Sequence, residues 1–239
     1  MFPFLNDWGT AGSLVSLAIA TVKKYTSDFE VVIVNDGSNP KDREALGIIV
    51  DNLRFTIYDL RFKNKIKIID HSKNRGYGGA LRSGFDAASK DLIFYTDCDA
   101  QYDPRELSLL MDRMNEDVDM VNGYKIKRND PIHRIWAGRI YHHLVKFAFG
   151  LPIKDTDCDF RLIRREVFEK VKLFEDTGTI CTELVKKIDY FGYKIAEVPV
   201  HHYWRTSGKS QFFNFGRLYK TGTNLVRLWW KLMVVCDFD

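Results

Sequence analysis

A run of β-forming residues, Leu92-Ile93-Phe94-Tyr95, is followed within a few positions by Asp97, Asp99, Gln101 and Asp103, and then by Pro104. An apolar run of this kind reads as a buried strand, and the polar residues after it emerge at the sheet edge where α/β proteins keep their chemistry. Side chains alternate along an extended backbone, so Asp97, Asp99 and Gln101 lean to one side and Cys98 to the other. Oxygen-bearing groups converging in this way suit a hard divalent cation, Mg2+ or Mn2+, which commonly shares its shell with substrate phosphates. Taken alone, the same residues also describe a solvated acidic turn.

The chain before this segment alternates strand and helix. Residues 1–5 read as the tail of a strand and residues 11–25 as a helix. Residues 29–34 form a second apolar strand that ends in Asn35-Asp36-Gly37-Ser38, and a helix begins near Pro40. A third strand at 66–69 runs into the glycine-rich stretch from Asn74 to Gly84. That stretch is neither a dinucleotide fingerprint, which needs Gly where Leu81 stands, nor a P-loop, which needs Lys where Phe85 stands. On its own it reads equally as glycine permitting tight strand-to-helix packing. The alternation predicts parallel β-α-β units, with Asp36, Asn74, Gly76 and residues 97–101 facing one crevice.

At 239 residues, with 45% hydrophobic and 28% charged side chains, the sequence fits one large domain or a domain with a small appendage, and excludes a disordered chain. Four dispersed cysteines without a C-x-x-C pair indicate neither a zinc site nor a disulfide framework, and fit a reducing, cytosolic setting. No signal peptide is visible, and no run approaches the ~20 apolar residues of a membrane-spanning helix. The net charge of +4 gathers in Lys125, Lys127, Arg128, Arg134 and Arg139, and again from Arg205 to Lys231. Basic patches suit anionic partners, whether nucleic acid, phosphorylated substrates or anionic membranes.

Five segments together resemble the family 2 glycosyltransferases of the GT-A fold, in the branch that loads sugars onto polyprenyl or dolichyl phosphates. They are Pro3-Phe4-Leu5-Asn6-Asp7, Val34-Asn35-Asp36-Gly37-Ser38, Asn74 to Gly84, Asp97-Cys98-Asp99-Ala100-Gln101, and the loop from Val198 to Ser210 with its Arg205 and Gly208-Lys209-Ser210. The resemblance implies a mostly parallel sheet with helices on both faces. It implies that Asp36 meets the nucleobase of a nucleotide-diphosphate sugar, with Pro3, Leu5 and Asp7 beside base and ribose and Asn74 and Gly76 in the same donor site. Asp97 would face ribose and metal, while Asp99 and Gln101 hold the metal against the diphosphate. Arg205, assisted by Lys209, would neutralise that diphosphate. Lys125 and Arg139, with His143 nearby, would grip the acceptor phosphate. Asp157, Asp159 and Glu183 stand on the acceptor side as candidate bases, and each reads equally as a structural ion-pair partner. His201 and His202 read as packing residues.

The resulting expectation is an inverting, metal-dependent enzyme that uses a polyprenyl phosphate acceptor, binds no nucleic acid, and works at the cytoplasmic face of a membrane. One alternative is a saccharide hydroxyl acceptor served by one of the acids; another is a non-catalytic nucleotide-sugar-binding or membrane adaptor protein. Residues 1–210 are expected to form the catalytic domain, and 211–239 an aromatic and basic helix suited to a membrane interface. Relatives carry several more residues before the first motif, so the first strand is expected to be short and the fold marginally stable.

Overall fold

The computed structural model describes residues 1–56, 65–126, 142–205 and 215–238. Strand β1 (Phe2–Phe4) leads to helix α1 (Trp8–Val22), β2 (Val31–Asn35), α2 (Pro40–Thr56), β3 (Ile66–Asp70) and α3 (Gly76–Ala87). These strands pair in parallel in the order β1-β2-β3, the arrangement expected from β-α-β alternation. The second half contains β4 (Leu92–Thr96), α4 (Leu107–Arg113) and β5 (Met120–Lys125), followed by a helix, α5, over 142–149. It continues through β6 (Phe160–Arg164), α6 (Val167–Lys170), α7 (Ile180–Tyr190), β7 (Ile195–Val200) and α8 (Phe215–Trp229). Its strands run β4-β6-β5-β7, with β6 antiparallel to both neighbours and β5 parallel to β7.

The two halves meet at Met1. Its nitrogen donates to Phe94 O at 2.6 Å, and its carbonyl accepts from Thr96 N at 3.3 Å, which lays the start of β1 along β4.

β2 is buried along its whole length, and its alternation divides the core. Val31 and Ile33 face a cluster with Leu14, Val15 and Leu46 of α1 and α2. Val32 and Val34 face Ala80, Leu81 and Leu184 of α3 and α7 on the other side. α8 packs on this second cluster through Leu228, the helical turn after it (Trp230–Val234) through Leu232, and Phe238 beyond stacks on Tyr190. The outer face of α8 leaves Tyr219 and Val226 exposed, and Trp230 just past its end is exposed too. Trp229 donates from its indole nitrogen to Ala148 O at 2.9 Å, which joins α8 to the end of α5, where Leu144 and Phe147 are also exposed. Among the described residues no helix is long and apolar enough to cross a membrane.

The glycine-rich start of α3 serves close packing. A Cβ at Gly78 would lie 2.1 Å from Glu175 O and 2.8 Å from the Asp176 carbonyl carbon, both main-chain atoms that cannot rotate away. Gly76, at φ +86°, likewise abuts Asp176 O and adopts a conformation that side chains disfavour. Gly78→Ala is therefore expected to lower the melting temperature by roughly 5 °C or more, the effect of a one-methyl overpacking against backbone. A thermal melt superimposable on that of the wild type would show that the 174–176 loop does not hold α3 closely.

Candidate active site

The acidic residues after β4 open into a cavity of about 130 Å3 lined by Asp97, Asp99, Gln101, Tyr102, Lys125, Asp157, Asp159 and His202. β4 brings Asp97 and Asp99, β5 ends in Lys125, and the chain entering β6 brings Asp157 and Asp159. Because β6 runs antiparallel, its start lies beside the ends of β4 and β5. Ala100, between Asp99 and Gln101, has φ 60°, a left-handed turn that an alanine rarely adopts. That turn lets Gln101 N donate to Asp99 Oδ1 at 3.0 Å.

Asp97 accepts from Tyr77 OH at 2.8 Å. Burial pushes its carboxyl well above the usual range, and Asp159 and Asp99 push it in the same direction. Asp99 is buried, and its other oxygen accepts from Arg205 at 2.6 Å. Burial raises its pKa too, although Arg205 opposes that shift. Arg205 also approaches Asp7 at 3.9 Å, and burial pushes the Asp7 carboxyl up to about 6. Four aspartates, Asp97, Asp99, Asp157 and Asp159, thus share the cavity with Lys125 and with Arg205 beside Asp99.

A divalent cation fits this donor set. Two neighbouring carboxylates, Asp97 and Asp99, face the same space, and the Gln101 amide nitrogen donates to Tyr203 O at 3.3 Å, so its carbonyl oxygen is the side-chain atom left for a metal. Among the described residues no group of three or more His, Cys, Asp or Glu could hold a metal by itself.

On the other wall, Lys125 is nearly buried. Its ammonium donates to Asp157 O at 2.6 Å and lies 3.4 Å from the Asp155 carboxylate. Cys181 donates to Asp159 Oδ1 at 3.1 Å. His202 stacks edge-on against Tyr102 and lines the cavity as well, so packing describes it incompletely.

Several expected site residues have other surroundings. Glu183 is fully buried and lies outside the cavity. It accepts from the amides of Phe174 at 3.0 Å and Glu175 at 2.9 Å and pairs with Lys187 at 3.4 Å. Asp36 is buried too. Its oxygens accept from Arg75 N at 2.8 Å and Gly76 N at 3.0 Å, and His71 Nδ1 lies at 2.7 Å. Those bonds fix the glycine-rich turn against the end of β2. Asn74 completes the lock by donating to Asp36 O at 3.1 Å and accepting from Gly76 N. Pro3 is buried within β1 opposite Val34, while Leu5 and Asp7 stand at the exit of that strand. His143 is exposed and outside the cavity lining, whereas its neighbour His142 approaches Thr156 at 3.3 Å. Arg139 and Lys209 lie outside the described residues. Sequence reasoning missed Tyr77, whose one signal is to be the polar aromatic residue within the glycine-rich turn.

A parallel β-α-β half with polar turns at its strand ends, joined to a mixed half that adds carboxylates and a lysine, defines the GT-A class of fold. The model of the family described as Glycosyl transferase family 2 matches residues 3–172, and the chain belongs to that family. A curated relative, undecaprenyl-phosphate 4-deoxy-4-formamido-L-arabinose transferase of Yersinia pestis (strain Pestoides F), is 26% identical over 212 residues, covering 89% of this chain. The enzyme of that name from Yersinia enterocolitica is 27% identical over 214 residues. The chain spans 61% of the length of each. Among solved structures, glucosyl-3-phosphoglycerate synthase from Mycobacterium tuberculosis in complex with Mn2+ and UDP-glucose superposes with a TM-score of 0.67 at 15% identity. That match covers 95% of this chain and 77% of the other.

Proposed function

We propose that this chain is a metal-dependent, inverting glycosyltransferase that moves a sugar from a nucleotide-diphosphate donor to a polyprenyl phosphate. The observation that carries the reading is a single cavity with a cation-seeking carboxylate pair on one wall and a nearly buried lysine on the other. The names of the Yersinia relatives, and the Mn2+ and UDP-glucose in the structural neighbour, support it.

A phosphate monoester acceptor, with a second pKa of about 6, is largely dianionic at neutral pH and attacks without a general base. Its oxygen forms the bond to the anomeric carbon as the bond to the diphosphate oxygen breaks, and the electron pair leaves with the nucleoside diphosphate. One displacement inverts the configuration. A bound Mg2+ or Mn2+ supplies neutralisation of the leaving diphosphate. Arg205, held beside Asp99, adds a second positive charge at the same place. Lys125 offers the acceptor phosphate a point charge, a weaker orienting device than a guanidinium fork. The exposed apolar residues of α5 and α8, with Lys220 and Arg227, suit peripheral attachment at the cytoplasmic membrane face.

A second reading, a saccharide hydroxyl acceptor, is favoured by Asp159, a carboxylate in the same cavity whose charge acts on Asp97. Transfer from radiolabelled UDP and GDP sugars to short-chain polyprenyl phosphate with Mn2+ separates the two. Label is expected to enter the organic phase, and Lys125→Ala to lower that transfer by about a hundredfold, the effect of losing a group that meets charge in the transition state. Transfer to a saccharide that survives Lys125→Ala, with none to the lipid, would establish the second reading instead.

A further inference from the structure

Beside the start of α3, and sharing no residue with the acidic cavity, lies a second cavity of about 420 Å3. Lys73, Arg75, Arg82, Asp176, Thr177 and Lys220 line it, together with the turn at 74–76. Four cations thus face one carboxylate. Arg82 donates to that carboxylate and, at 2.6 Å, to Phe174 O. Among the described residues Lys73, Arg75 and Lys220 form no ion pair; Arg75 donates one weak bond to Ser83 Oγ at 3.3 Å. Like charges gathered around a concave space repel one another, and that repulsion is relieved when an anion enters.

The walls are fixed before any ligand arrives. Gly78 N donates to Asp176 O at 2.9 Å, Glu183 accepts from the amides just before it in the loop, and Asn224 of α8 donates to Thr177 Oγ1 at 3.3 Å. The amides at the start of α3 are already bonded, Arg75 N and Gly76 N to Asp36, so ligand contacts must come from the side chains. We propose that this cavity binds a phosphoryl anion carried on a small headgroup, at a site separate from the acidic cavity. Guanidinium and ammonium donors match phosphoryl oxygens. The volume exceeds one phosphate and leaves room for the group that bears it, while falling at the small end of ligand pockets. Two sources share this chemistry, the headgroup of an anionic lipid and a soluble phosphate ester.

Calorimetric titration of the full chain with inorganic phosphate in EDTA, which removes divalent cations, tests the site directly. The double variant Lys73→Glu/Lys220→Glu is expected to bind roughly tenfold more weakly or worse. Asp176→Asn, which removes the carboxylate among the described lining residues, is expected to bind several-fold more tightly. Both variants should melt like the wild type without ligand, since Lys73 and Lys220 are exposed and Asp176 keeps its main-chain bond. Flotation with phosphatidylglycerol vesicles assigns the source: loss of flotation in the double variant supports a lipid headgroup, and unchanged flotation with lost phosphate binding supports a soluble ester. Equal phosphate affinity in the wild type and the double variant would overturn the proposal. So would full displacement of phosphate by UDP with Mn2+, which would merge the cavity into a nucleotide site and leave the glycosyltransferase reading intact.

Discussion

Asp97→Asn is expected to slow transfer about a hundredfold or more and, in the same protein, to raise the melting temperature by about 3 °C or more. The two effects have one cause. Burial and the charges of Asp159 and Asp99 all oppose ionisation of the Asp97 carboxyl. An asparagine keeps an oxygen for Tyr77 OH and removes the repulsion, so the fold gains what the chemistry loses. The pH dependence has a definite sign. A carboxyl whose pKa is raised on folding contributes most below its unfolded value, near 3.8, and that contribution is lost as pH rises through the folded value. Wild-type stability should therefore fall relative to Asp97→Asn as pH rises across that window, as read from paired denaturant titrations. Parallel curves for the two proteins would show that Asp97 is not strained.

The second large effect is expected at Arg161. It is fully buried, donating to Asn122 Oδ1 at 2.7 Å, Tyr95 OH at 2.8 Å and Thr156 O at 2.6 Å. These bonds tie β4, β5 and the chain entering β6 to one guanidinium. Arg161→Leu leaves three buried polar groups unanswered, and breaking a buried charged network of this kind costs about 3–5 kcal/mol. For a chain of this size that corresponds to a fall of about 10 °C in melting temperature. Arg161→Lys should recover little, since an ammonium cannot reach three acceptors lying in the plane of the guanidinium. A variant that melts within about 2 °C of the wild type would show that water replaces the lost donors.

The strands from β2 to β5 were legible because each is a short apolar run ending in turn residues, and the pleat put Asp97 and Asp99 on one side without further information. The acidic cavity followed from that pattern. What the sequence does not carry is direction and depth. Nothing in Phe160 to Arg164 says that β6 runs against its neighbours, because an apolar strand has the same pattern in either sense. Glu183 and Asp159 are both carboxylates near helix or strand starts, yet one bonds backbone amides in the core and the other faces the cavity. Only tertiary packing separates them. Asp36 and Asn74 were legible as residues at strand ends, but not the hydrogen bonds that tie them to the loop at 71–76, which depend on how that loop folds back. His142 and His143 differ by one step of a helix, and which of them faces inward depends on a helix phase that neighbouring residues leave open.

The reversed course of β6 gives the two sides of the crevice different histories. On the proposed reading the donor side is assembled from the segments after β1 and β4, which bring Asp7, Asp97 and Asp99 to Arg205, so a new nucleotide sugar demands matched changes at distant places in the chain. On the acceptor side, Lys125 at the end of β5 and Asp157 and Asp159 at the entry to β6 come from two neighbouring strands of the same half-sheet. Substitutions at that strand pair can alter the acceptor side while the register of β5 and β6 is kept. Acceptors can thus diversify by changes at one strand pair, while donor choice changes slowly on a shared frame.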